Sequence, residues 1–262
     1  AHVSQGMLAL RAGIPVLLEK PVSNNLNSAR ALSALASELE VPILLGYTWR
    51  WWPPLQRVKS LLAENVIGRL LHVQFHMSAH LADWHPWEPY QDFFMAKREL
   101  GGGALLDESH WVDLALWFFG SPVSVQAQID RLSDLDIDTD DNVDMLLTYP
   151  NGMRVSIHLD IFSRPHEKFI RFVGDQGTVL WTAEPNRILK GSGMIEWDNE
   201  EIFDCERNDM FLGVAEEFLG LLNNQVKTQT CDLNDGLRVL EVLSVAKKSS
   251  IEGRRILMEH EI

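Results

Sequence analysis

Ala12-Gly13-Ile14-Pro15-Val16-Leu17-Leu18-Glu19-Lys20-Pro21 reads as a helix end, a short turn, a continuous apolar strand and a charged pair at the strand's C-terminal tip. The segments around it alternate in the same manner. A helix over 3–11 precedes the strand 15–18, and a helix over 28–38 and a second apolar strand over 42–45 follow it. Asn27-Ser28 supplies an N-cap, and Ala29, Leu32, Leu35 and Ala36 supply the apolar helical spacing. Helix and strand in alternation predict α/β packing on parallel strands. In open α/β sheets ligands bind at the C-terminal strand tips, which makes Lys20 a candidate site lysine. Pro21 has no N–H and restricts the residue before it to extended geometry, so the chain itself aims the Lys20 side chain. Taken alone, Glu19-Lys20-Pro21 is better read as a surface ion pair ahead of a loop, and it matters only in combination.

The chain has 262 residues, 46% of them hydrophobic, enough to bury a substantial core in one large or two smaller domains. Its net charge of −14 and pI near 5.0, with no offsetting Lys/Arg cluster, argue against a nucleic acid or an anionic membrane as partner. No stretch approaches the ~20 apolar residues of a membrane span. The only cysteines, Cys205 and Cys231, stand far apart without metal spacing, as expected of a protein from a reducing, cytoplasmic compartment.

Downstream, a helix is predicted over 54–64 and a long strand over 70–81. In that strand Leu71, Val73, Phe75, Met77 and Ala79 alternate with His72, Gln74, His76, Ser78 and His80. An aromatic loop follows over 83–97, with Trp84, His85, Trp87, Tyr90, Phe93 and Phe94. Beyond Pro122 the pattern turns to strands over 123–128, 143–149, 154–160, 169–173 and 177–181, with turns at Asn151-Gly152 and Gln176-Gly177. Helices over 209–222 and 232–249 and a short strand over 255–258 close the chain. The expected division is 1–49, an α/β remnant of a parallel sheet, and 50–262, an α+β domain with a large, open, mostly antiparallel sheet packed on helices.

Gly101-Gly102-Gly103-Ala104-Leu105-Leu106-Asp107-Glu108-Ser109-His110-Trp111-Val112-Asp113 sets a histidine between two carboxylates on an otherwise apolar helix. At about 100° per residue, Asp107, His110 and Asp113 fall along one stripe. The stripe is either a solvated face or a buried polar site. Three glycines before it permit close approach of backbone or ligand and favour the second reading.

Other constellations carry less. His72, His76 and His80 cannot meet at one metal ion, because four residues of strand span ~13 Å. Asp136, Asp138 and Asp140 resemble the opening of a calcium loop, but Asp141 stands where glycine is needed and Leu147 where a bidentate glutamate is needed. No metal site is expected. Seven of the nine tryptophans fall between Trp49 and Trp117, more than a core needs in so short a span. Core packing accounts for some of them, but Trp84 and Trp87 sit in a loop, where an indole can stack on the apolar face of a sugar.

His2, Ala9, Ala12, Gly13, Pro15, Val16, Glu19-Lys20-Pro21, Gly46, Arg50, Pro53, Ile67-Gly68, Gly101-Gly102-Gly103, Leu106-Asp107, His110, Asp113, Tyr149 and Asn151-Gly152 occur in this order over nearly the whole chain. The succession resembles the glucose–fructose oxidoreductase, inositol dehydrogenase and MocA (Gfo/Idh/MocA) family. The resemblance implies an NAD(P)-dependent oxidoreductase with an N-terminal Rossmann domain and a C-terminal domain whose open sheet builds a homo-oligomer, a dimer or tetramer. It implies Lys20, Asp107 and His110 as the catalytic group. His2, Glu19, Lys20, Pro21 and Arg50 are expected toward an NAD or NADP cofactor, and Trp84, His85, Trp87 and Asp113 toward a carbohydrate substrate.

Two departures stand out. The family's usual helix reads Asp-x-Gly-x-His, whereas Asp107-Glu108-Ser109-His110 is one residue shorter, so either Asp107 or Asp113 orients the histidine. A glycine-rich GxGxxG turn and its strand are not in this sequence, and the chain is therefore expected to be a fragment lacking the first ~100 residues of a nucleotide-binding half. The expected chemistry is reversible oxidation of a secondary alcohol on a sugar, nucleotide-sugar or cyclitol, with hydride passing to nicotinamide C4. His110 serves as acid/base and Lys20 hydrogen-bonds the reacting oxygen. The alternatives are NAD-dependent glycoside cleavage and a non-catalytic oligomerising or ligand-sensing protein.

Overall fold

The computed structural model describes residues 2–259. Its elements are α1 (His2–Arg11), β1 (Val16–Leu18), α2 (Leu26–Leu39), β2 (Ile43–Leu45), α3 (Pro53–Ala63), β3 (Leu70–Ser78), α4 (Ala104–Asp107), α5 (His110–Phe119), β4 (Ser124–Asp130) and β5 (Asn142–Thr148). They continue with β6 (Arg154–Asp160), β7 (Glu167–Gly174), β8 (Thr178–Ala183), β9 (Asn186–Gly191), β10 (Asn199–Ile202), α6 (Arg207–Leu222), α7 (Leu233–Glu252) and β11 (Ile256–Leu257).

The two apolar tripeptides Val16–Leu18 and Ile43–Leu45 pair in parallel, Val16 opposite Ile43 and Leu18 opposite Leu45. Helix α2 starts earlier than expected: Asn25, not Asn27-Ser28, accepts the Ser28 amide, and the chain leaves the helix at Glu40 in the left-handed region. The expected boundary at residues 49 and 50 falls inside a 3-10 turn, Thr48–Trp51. Residues 1 and 260–262 of the two expected domains lie outside the described residues.

The second sheet has nine strands in the order β10-β9-β8-β7-β3-β6-β5-β4-β11, antiparallel except for the β3–β6 pair. On β3, Val73, Phe75 and Met77 are fully buried and meet α5, whose apolar residues run all round the helix; the Trp111 ring packs edge-on to Phe75. His72, Gln74 and His76 face the opposite, open side. Strand β3 stops at Ser78, three residues before the expected end, because Ala79 and Leu81 donate to the carbonyls of Asp160 and Ile161 and a 3-10 turn begins at Leu81. His80 thereby leaves the sheet and caps that turn through Nδ1. His76 instead hydrogen-bonds Ser78 and stacks on His158. Among the described residues no three His, Cys, Asp or Glu side chains are grouped to hold a metal.

Strands β9 and β10, which the hydrophobic pattern does not predict, extend the sheet at one edge. Asn186–Gly191 and Asn199–Ile202 are rich in polar and charged residues, and β10 is mostly exposed. They carry little of the two-residue apolar alternation that marks a half-buried strand. Helix α7 joins the two sheets: it packs on β4 and β11 on one side and on β2 on the other, and Leu45 at the end of β2 donates to the Cys231 carbonyl just ahead of it. The C-terminal tip of β1 is thereby held against the helical layer of the large sheet.

Candidate active site

Lys20 crosses from the tip of β1 to α4, where Nζ donates to Asp107 Oδ1 at 2.9 Å and to the Asp107 carbonyl at 2.6 Å. Both side chains are mostly withdrawn from solvent, 15% and 13% exposed. Behind the lysine, His2 Nδ1 donates to the Pro21 carbonyl at 2.9 Å, so α1 braces the Lys20-Pro21 segment.

The glycine run ends at Gly103 with φ +105°, where an added Cβ would stand 2.5 Å from Asp140 Oδ1. That proximity lets Asp140 cap α4: its carbonyl accepts the Ala104 amide at 2.9 Å and its carboxylate accepts that of Leu105 at 2.7 Å. The expected continuous helix is broken. Helix α4 is a single turn, and Ser109 and Trp111 donate to residues three back, Leu106 and Glu108, before α5 begins at His110.

The break separates the three residues of the expected stripe. Asp113 is bonded not to His110 but to Arg50, whose Nε and Nη2 grip its two oxygens at 3.0 and 2.7 Å. Arg50 Nη1 donates to the Thr230 carbonyl at 2.7 Å and to Asp235 at 2.9 Å. With 3% and 1% of their side chains exposed, Arg50 and Asp113 are engaged with each other. Arg50, expected toward a cofactor, and Asp113, expected toward a substrate, thus bond each other, and the pair clamps the 48–51 turn to α5 and α7. Burial pushes Asp113 up to about 6 against the pull of Arg50.

His110 stands edge-on to Tyr47, with ring centroids 5.6 Å apart. Its Nδ1 is buried and has no hydrogen-bond partner, which leaves Nε2 as the nitrogen able to meet a ligand. Burial, reinforced by the charges of Lys20, Lys168 and Arg207, holds its pKa well below the ordinary histidine value, so the imidazole is neutral at pH 7. Glu108 lies buried between Asp107 and His110 in sequence and accepts the Trp111 indole N–H at 2.8 Å; burial and then Asp107 push its pKa up.

The loop aromatics form their own cluster. His85 bonds Glu88 at 2.6 Å and stacks on Trp87, which is 76% exposed, and Trp84 buries its indole nitrogen without a partner. Among the described residues none of Trp84, His85 and Trp87 bonds or stacks with Lys20, Asp107 or His110. Sequence reasoning passed over Tyr47, Glu108, Lys168 and Arg207. Glu108 stood inside the quoted motif, and the alternation of β7 carried a signal for Lys168.

A family model, the GFO/IDH/MocA C-terminal domain, matches residues 55–180. An uncharacterized oxidoreductase of Synechocystis is 32% identical over 131 residues, 49% of this chain and 34% of that protein. D-apiose dehydrogenase of Rhizobium rhizogenes is 22% identical over 98% of this chain and 76% of its own length. Among solved structures, levoglucosan dehydrogenase in complex with NADH and levoglucosan superposes with a TM-score of 0.85 at 16% identity, covering 99% of this chain and 77% of that one. A dehydrogenase from Bordetella pertussis in complex with NADH and UDP-GlcNAcA superposes with a TM-score of 0.78 at 24% identity, over 99% and 76%. The chain thus spans about a third of the first of these relatives and about three quarters of the others.

Proposed function

We propose that the chain, whose residues 55–180 match the GFO/IDH/MocA C-terminal domain, is an oxidoreductase of that family and serves the NAD(P)-dependent oxidation and reduction of a secondary alcohol on a sugar or cyclitol. One observation carries the reading. A lysine anchored on Asp107 carries its charge close enough to act on a neutral, half-buried histidine three residues further along, where the tip of β1 meets the helical layer of the large sheet.

The residues at that tip fit a nicotinamide nucleotide. Glu19, Lys20 and Pro21 follow the C-terminal end of a parallel strand, braced by His2 of α1, at the position where open α/β sheets take dinucleotides, and the orphaned Nδ1 of His110 marks a polar site built for something other than packing. When bound, the nucleotide supplies the hydride acceptor.

In this mechanism His110 Nε2 takes the hydroxyl proton of the substrate as the alkoxide develops. A neutral imidazole is the form able to do so, and its depressed pKa keeps it in that form. Lys20 Nζ, held by Asp107, presents positive charge to the reacting oxygen and stabilises the negative charge that grows there. Asp107 sets the lysine's position through its carboxylate and its carbonyl together.

Kinetics with NAD+ and a panel of sugars and cyclitols test the assignment. His110→Ala and Lys20→Ala should each lower hydride transfer by ~10²–10⁴. Rates within a few-fold of the parent for both variants would remove the roles given to them.

A further inference from the structure

Lys168 occupies a place that packing does not explain. It pairs with Met77 across β3 and β7, and residues directly opposite in an antiparallel pair share a face. Met77 is fully buried, so Lys168 is on the helix-covered side of the sheet, whereas its neighbour Phe169 stacks on His76 on the open side. Its Nζ stands 5.8 Å from the ring centre of Trp49, and Trp49 packs on Trp111, the residue after His110. Arg207 reaches the same neighbourhood as the first residue of α6. That helix is fastened to the 48–51 turn by the hydrogen bond from Trp51 Nε1 to Glu217 at 2.9 Å. A hollow whose polar lining is His166, Thr182 and the carboxylates Glu167 and Glu184 opens beside Lys168.

The charges of three cations act on His110: Lys20, the half-buried Lys168 and the exposed Arg207. Lys20 is neutralised by Asp107. The other two are not matched in this way. Glu108 directs one oxygen to the Trp111 indole, Glu184 lines the same hollow, and among the described residues no carboxylate comes within ion-pair distance of Lys168 or Arg207. A half-buried ammonium without a close ion pair is unfavourable: burial lowers its pKa, and the more distant charges of Glu108, Glu184 and Asp107 only partly oppose that shift. The arrangement is also exceptional in a chain of net charge −14, whose overall field repels anions.

Resting on the dehydrogenase reading above, we propose that Lys168, assisted by Arg207, is an anion subsite beside His110, and that the substrate is a sugar carrying a carboxylate or a phosphate. The anionic group supplies the close ion pair that Lys168 lacks, and its fixed distance from the oxidised carbon orients the sugar with one hydroxyl against Nε2 of His110. Neutral sugars have no group to fill this position.

The test is calorimetric titration of the protein with D-glucuronate, D-glucose 6-phosphate and D-glucose, for the parent, Lys168→Met and Lys168→Arg, with melting temperatures to verify folding. One charge-assisted contact predicts that at least one of the two anions binds about 10- to 100-fold more tightly than glucose. Lys168→Met should erase that preference while weakening glucose far less, and Lys168→Arg should keep most of it. Equal affinity for all three sugars, equal losses for glucose and the anions in Lys168→Met, or binding of none of the three would overturn the subsite. The two readings fail separately. Hydride transfer that depends on His110 and Lys20 but shows no anion preference sinks the subsite alone, whereas an anion preference carried by Lys168 without such transfer sinks the dehydrogenase reading alone.

Discussion

Arg50→Met separates a structural role for this arginine from a ligand-binding one. In the parent the guanidinium satisfies both oxygens of Asp113, one oxygen of Asp235 and the Thr230 carbonyl. Methionine fills much of the same volume, so the main effect is electrostatic: Asp113, 1% exposed, is left as an uncompensated buried charge. Removing one partner of such a pair costs about 3–5 kcal/mol. At about 2–4 °C per kcal/mol in chains of this size, the melting temperature should fall by roughly 6–20 °C. Two further results follow from the same mechanism. Replacing both partners, Arg50→Met with Asp113→Leu, should recover much of the loss, because no charge is then stranded. The loss should also shrink with acid. Asp113 already lies up at about 6 by burial, and without Arg50 it rises further, so between pH 8 and pH 5.5 the variant increasingly protonates the group that destabilises it. Urea or thermal unfolding of the three proteins at both pH values provides the measurement. A single variant within about 0.5 kcal/mol of the parent, together with weakened nucleotide binding, would refute the structural role and restore Arg50 as a cofactor ligand.

Gly103→Ala places a Cβ 2.5 Å from Asp140 Oδ1 at a φ of +105°, so backbone strain and a disturbed cap on α4 should together cost about 2–3 kcal/mol, read by denaturant unfolding; a neutral result would show that Asp140 moves freely. His158 is held up to about 9 by its hydrogen bonds to Asp160 and Asp144, so its contribution to stability is complete below pH 6.5 and is lost as the pH rises from there through about 9. In melting curves across that window His158→Gln should flatten the decline, and an unchanged slope would assign it to another group. The depressed pKa of His110 predicts that kcat/KM for alcohol oxidation shows no loss attributable to this residue until the pH falls below 6.5. An acid limb centred at or above 6.5 and abolished in His110→Ala would contradict the neutral-base assignment.

What could be read in advance was what each residue encodes with its near neighbours. The apolar runs at Val16–Leu18 and Ile43–Leu45, the alternation of Val73, Phe75 and Met77, and the strands from β4 to β8 emerged at or close to their expected limits. Burial of one face imposes a period that a short window reveals. The polar edge strands β9 and β10 bury too little apolar surface for that signal. The helix carrying Asp107 and His110 was legible as apolar but not as broken, and its N-terminal cap, Asp140, comes from 35 residues further along the chain.

The order of motifs from Glu19-Lys20-Pro21 to His110 was by itself sufficient to indicate the fold and the residues to examine, because turn chemistry and hydrophobic period act over short distances. Which charges meet was settled only by tertiary packing. Arg50 and Asp113, 63 residues apart, close on each other, Lys20 reaches Asp107 across 87, and Lys168 brings its charge to bear on His110 from β7 of the large sheet. Ion pairing depends on distance and burial in space, and neither is encoded in local spacing.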